Sequence, residues 1–209
     1  MAHDDPAGRH DAAGRHEING HDPANRHEVA GHERAGRHEG ASDITVHLAA
    51  TAFGDPDVQQ LVAEVQAYYV TIYGGPDDSP IDHDEFTPPA GHFVLARDDD
   101  GPVAMGGWRL RPDLEARLGA TAAEVKRMYV TPRARRRGIS RLVLGELEAT
   151  AAAAGAAMLV LETGVVQQDA IALYTSSGYT RTVDFGHYAD SELSRCYAKR
   201  LQLGPSQPR

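Results

Sequence analysis

From residue 42 onward, apolar and polar positions follow two rhythms that predict an ordered series of strands and helices. Residues 44–48 alternate with the period of a strand. Asp55-Pro56-Asp57 then opens a helix whose apolar stripe, Val58, Leu61, Val62, Val65, Tyr69 and Ile72, runs until Gly74-Gly75-Pro76 stops it. A polar loop over 77–91 follows. Strands at 92–97 and 102–110 flank Asp98-Asp99-Asp100-Gly101, the composition of a hairpin turn. Residues 111–123 form a connection with room for a short helix. Residues 125–130 make another strand, ended by Thr131-Pro132 because proline has no amide hydrogen to donate. Ile139, Leu142, Val143, Leu147, Ala151 and Ala154 recur at helical spacing up to Gly155. Residues 157–162 are almost continuously apolar, as in a strand buried on both faces. Ala170, Leu173 and Tyr174 mark a short helix stopped by Gly178, and 179–184 and 195–201 supply closing strands. The order β-α-β-β-β-α-β-α-β-β implies an α/β fold with a mixed sheet covered by helices.

The first forty residues follow neither rhythm. They hold seven of the eleven histidines and no Leu, Phe, Tyr or Trp, in an 11-residue repeat built on Gly/Asn-Arg-His-Glu. With nothing apolar to bury, residues 1–41 are expected to be a disordered tail, 42–203 one folded domain and 204–209 a short disordered C-terminal tail. The repeated imidazoles suit weak nickel, zinc or copper binding. A variable tail, or residues translated from a misplaced start, fits the composition as well.

Charge and cysteine content narrow the class. A net charge of −9 argues against a general nucleic-acid binder. One cysteine, Cys196, excludes a disulfide framework and fits a reducing compartment, where it reads as a small buried side chain. The longest largely apolar run, 149–161, is too short to span a bilayer and is broken by Gly155. With no signal peptide visible, a soluble cytoplasmic protein without membrane or nucleic-acid partners is expected, as monomer or homodimer. His47, His83, His92 and His187 show no metal-site spacing, so no metal is required.

The chemistry concentrates at Arg135-Arg136-Arg137-Gly138-Ile139-Ser140, between a strand and a long helix. Free backbone amides and the positive end of the helix dipole both point outward there. Gly138 permits close approach, and the arginines offer forked donors, so the turn suits a phosphate-bearing ligand.

Residues 124–179 resemble the central motif of the GNAT superfamily of N-acetyltransferases, which transfer an acetyl group from acetyl-CoA to an amine. The family loop Gln/Arg-x-x-Gly-x-Gly/Ala is matched by residues 135–140, with Ser140 at the last place. Its later Asn-x-x-Ala-x-x-Leu-Tyr-x-x-x-Gly-Phe/Tyr pattern is matched by Gln167, Ala170, Leu173, Tyr174, Gly178 and Tyr179, with Gln167 replacing the asparagine. The resemblance implies a mostly antiparallel sheet of six to seven strands flanked by helices. It implies acetyl-CoA as cosubstrate, bound by Met128, Tyr129 and Val130 of the strand, by the loop through Arg141, and by Gln167 and Tyr174.

By the same resemblance Tyr174 is the acid for the leaving thiolate, its phenol being neutral with a reference pKa of about 10. The backbone at Met128, Tyr129 and Val130 supplies the amide donor for the acetyl carbonyl and pairs with the pantetheine arm. An amine must lose a proton before it attacks, and a carboxylate can take it directly or through water. Glu124 stands where the family often places that base, and Glu162 is the second candidate. The acidic stretch 82–85 either draws a cationic amine or is solvated loop. Trp108 and Tyr129 either line the acceptor cleft or pack on sheet faces. The acceptor, a small molecule or peptide amine, is expected to meet regions 55–90 and 180–200. A non-catalytic acyl-CoA sensor and a metal-binding or interaction protein working through its histidine tail remain alternative readings.

Overall fold

The computed structural model describes residues 45–202. Both predicted tails, with their histidine repeat, lie outside that span. The elements run β1 (His47–Ala50), α1 (Pro56–Tyr73), β2 (Gly91–Asp98), β3 (Gly101–Leu110), α2 (Glu115–Leu118), β4 (Ala122–Val130), α3 (Ile139–Ala153), β5 (Met158–Gly164), α4 (Gln168–Ser176), β6 (Thr180–Arg181) and β7 (Ser194–Arg200). This is the predicted order, with α2 filling the expected connection.

Local chemistry sets the boundaries. Asp55 caps α1 by accepting from the amide of Asp57 at 2.9 Å, and Pro56 occupies the first turn, where a missing N–H costs nothing. Val58, Leu61 and Val65 are buried, and α1 ends on Gly74 in the left-handed conformation.

The seven strands form one sheet in the order β1-β2-β3-β4-β5-β7-β6. Every junction is antiparallel except β4 with β5, which is parallel over four pairs from Ala122–Met158 to Val125–Leu161. Past those pairs, among the described strands, β4 pairs only with β3 and β5 only with β7. The sheet therefore parts down its middle. A bulge sits beside the parting: Arg127 and Met128 of β4 stand against Gly106 alone, and Arg127 takes a positive φ of 54°.

Helices α3 and α4 cover one face, burying Val143, Leu147, Leu159, Tyr174 and Tyr179. Helix α1 covers the other, over Phe53, Phe93, Leu95 and Met105. A smaller cluster holds Leu114, Phe185 and Cys196, whose thiol burial pushes up to about 11.

Several expectations need correction. β1 begins later than residues 44–48 suggested, and β4 begins at Ala122, before Glu124. The polar loop holds a 3₁₀ turn at His83–Phe86, fixed by an Asp82–Glu85 capping box and by the buried ring of Phe86. The strand expected at 179–184 shortens to Thr180–Arg181, because the chain turns inward to bury Phe185. Trp108 packs under α3 and donates to Thr150 Oγ1 at 2.9 Å. Tyr129 packs against α1, 3.4 Å from Glu64, so both aromatics belong to sheet faces.

Candidate active site

The arginine turn leaves β4 through a 3₁₀ turn at Pro132–Ala134 and enters α3 at Gly138, whose φ of 78° suits glycine. Among the described residues no side chain caps α3, so its first amides are left for another acceptor. Asp98, at the end of β2, fastens the turn from below. Its side chain is 1% exposed, and Arg133 Nη1 donates to both its oxygens at 3.0 Å and Arg137 Nη1 to one at 3.4 Å. Burial opposes ionisation of Asp98, yet these bonds hold its carboxyl below the usual range. Arg135 reaches back to the carbonyl of Val130 at 3.3 Å and lies over the ring of Tyr68. Arg141 ties α3 to α4 through Ser176 and Ser177. Arg136, in left-handed backbone, stays exposed. Ile139 is buried, while Ser140 is partly covered.

The parting of β4 and β5 opens beside this turn. Tyr174 of α4 reaches it from one side, its hydroxyl donating to Met128 Sδ at 3.7 Å. Burial raises the phenol pKa, so it stays protonated. Gln167 faces the end of β5, its Oε1 accepting from Thr163 Oγ1 at 3.1 Å and from the amide of Gly164 at 3.0 Å.

On the α1 side the parting widens into a cavity of about 290 Å³, walled by the end of α1, residues 75–78, the end of β5 and the loop before β7. Its walls draw on both regions expected to meet the acceptor and also on Lys126, Gln167 and the end of β5. Tyr188 joins the two loops by donating to Asp78 at 2.6 Å and to Asp77 at 3.0 Å. Asp77 pairs with Arg127 of the bulge; burial opposes ionisation there, but Arg127 and Ser79 draw the carboxyl down to about 2. Glu162 lines the cavity and accepts from Ser194 Oγ at 2.6 Å. Burial raises its pKa, aided by Glu124 and Asp77, against the pull of Ser194 and Lys126.

Glu124 sits elsewhere. It lines a second cavity of about 510 Å³ that meets the first at Lys126. Its side chain is 1% exposed, and Oε2 accepts from Arg109 at 3.0 Å and Arg111 at 2.5 Å, with Lys126 3.7 Å from Oε1. Glu85 of the acidic stretch is committed to Arg109 at 2.5 Å. Sequence reasoning missed Asp98, Asp77, Lys126 and Ser194. Asp98 looked like a turn residue, and the others carry no local motif.

Comparison with known proteins agrees with this fold. The model of the acetyltransferase (GNAT) family matches residues 58–179. A curated IAA acetyltransferase from Azospirillum brasilense is 36% identical over 69% of this chain and 90% of its own length. A crystal structure from Klebsiella pneumoniae, described as an acyl-CoA N-acyltransferase, superposes with a TM-score of 0.61 at 28% identity over 75% of this chain and 98% of its own. A GNAT family acetyltransferase from Elizabethkingia anophelis with acetyl-CoA bound shares the fold, with a TM-score of 0.51 at 16% identity over 75% and 98%. The chain belongs to the acetyltransferase (GNAT) family and is an acyltransferase enzyme. Among the described residues, no helix is long and apolar enough to cross a membrane.

Proposed function

We propose that the enzyme transfers the acetyl group of acetyl-CoA directly to a primary amine of a small molecule or peptide. The observation that carries this reading is the parting of β4 from β5 beside an uncapped, arginine-rich helix N-terminus. The amides of residues 136–140 and Arg136 would hold the pyrophosphate, where the helix dipole favours negative charge. The unpaired edge of β4 at Met128, Tyr129 and Val130 would bond the pantetheine arm like an added strand, and an amide there would face the acetyl oxygen.

Glu162 is the better placed base. It lines the cavity and has a raised pKa, whereas Glu124 lines the second cavity, where Arg109 and Arg111 hold it. The amine proton passes to Glu162, directly or through water, as nitrogen bonds to the acetyl carbon. The carbon–sulfur bond breaks, and the sulfur takes its proton from Tyr174. Asp78 and Glu162 favour a cationic acceptor at the cavity, and holding both substrates in line supplies much of the rate.

An acceptor panel with acetyl-CoA, read by release of free thiol, tests the proposal. Thiol released in proportion to acetylated amine is expected; a protein that binds CoA but acetylates no amine would be a sensor instead.

A further inference from the structure

One phenol lining the cavity beside the parted strands is seated on a glycine. Tyr73, in the last turn of α1, lays its ring against Gly164, the last residue of β5. The approach is close enough that a Cβ on Gly164 would lie 1.6 Å from the Tyr73 hydroxyl and 2.6 Å from the ring carbon bearing it. Only glycine admits this contact. Gly164 lies three residues past Leu161 and the bulge at Arg127–Met128 two to three past Val125, the last paired residues on the two sides of the parting. Tyr73 therefore stands at the level where the acetyl group is proposed to meet the amide edge of β4. Tyr69 lies one turn earlier on the same helix face, its ring centre 6.2 Å from that of Tyr73, and lines the same cavity.

The Tyr73 hydroxyl has no hydrogen-bond partner among the described residues, so the side chain acts there by bulk. Burial raises its pKa to about 12, so it stays a neutral wall at physiological pH. Tyr73 is 37% exposed, but the edge of its ring seated on Gly164 takes up space beside the parting that a longer acyl chain would need.

We propose that Tyr73, seated on Gly164, is the specificity-determining residue that restricts this enzyme to acetyl and other very short acyl groups. The inference rests on the placement of acyl-CoA in the β4–β5 parting. One methylene in an apolar pocket changes kcat/KM by roughly 10- to 200-fold, which sets the scale of the effect.

The test measures kcat/KM of the full-length protein with acetyl-, propionyl- and butyryl-CoA by thiol release, and the affinity of each by calorimetry. Wild type should lose at least about tenfold in kcat/KM from acetyl- to butyryl-CoA, and Tyr73→Ala should shrink that loss by about tenfold or more. Tyr73→Phe should keep the wild-type ratio, because volume and not the hydroxyl sets it. Gly164→Ala should also shift the ratio by displacing the ring, and should add nothing in the Tyr73→Ala background; this pair keeps the test decisive if one variant folds poorly. A Tyr73→Ala protein with unchanged selectivity, or a wild type indifferent to chain length, overturns the inference while leaving acetyl transfer intact. A wild type that binds none of the three acyl-CoAs removes the acyl-CoA reading itself, and this inference with it.

Discussion

The hydroxyl of Tyr174 is aimed across the parted strands at the sulfur of Met128, 3.7 Å away. A thioether is a weak acceptor, so a phenol engaged only with it is free to exchange that partner for a stronger one. The leaving thiolate of the proposed reaction is such a partner. Tyr174→Phe should lower kcat by about 10²-fold with little change in the KM for acetyl-CoA, the size of one lost proton donor. Steady-state kinetics with saturating amine decide it, and wild-type turnover would end the acid role.

Glu162 works as a base only when ionised, and burial raises its pKa above the ordinary 4.5. The acidic limb of the pH profile of kcat/KM should therefore lie above the ordinary glutamate range, with activity lost as pH falls through it. Ser194 donates to Glu162 and lowers its pKa, so Ser194→Ala should move the limb to still higher pH. Glu162→Gln should remove the limb and cost about 10²-fold in rate at neutral pH.

Asp98 holds the arginine turn from beneath without facing the proposed pyrophosphate site. Asp98→Ala frees Arg133 and Arg137, and should raise the KM for acetyl-CoA about tenfold while kcat changes little, since a charge-assisted bond is worth a little over that factor. Arg136→Glu should weaken CoA binding directly, and the weakening should diminish at high salt, where exposed charges are screened. Titration calorimetry at two ionic strengths separates the two effects.

Leu147 of α3 is fully buried against the sheet. Leu147→Ala should cost about 3 kcal/mol of stability through lost transfer energy and a residual cavity. Denaturant unfolding measures it.

Much of this architecture was legible along the chain because it is locally encoded. Pro56 and Gly74 bracket α1, the Asp98–Gly101 turn sets the β2–β3 hairpin, and Gly138 starts α3. What escaped was pairing between distant residues. Glu124 looked like an open carboxylate at a strand entrance, because only the β3–β4 register brings Arg109 beside it. Asp98 showed the composition of a solvated turn, and its burial depends on an arginine loop 35 residues later. Tyr73 follows the apolar stripe of α1, which ends at Ile72, and nothing local shows that Gly164 lies under its ring. The strand expected at 179–184 stops at Arg181, because nothing local shows the backbone turning away to seat Phe185.

The four-pair seam between β4 and β5 gives the protein a line of weakness through its centre. A ligand lying in the parting would bond one half-sheet and brace the other, mending the seam that the fold leaves open. Occupancy and heat resistance are then linked: 100 times the Kd of acetyl-CoA should add about 2.7 kcal/mol to unfolding. Substitutions that loosen the ligand would also forfeit that reinforcement, even where they leave the unliganded fold unharmed.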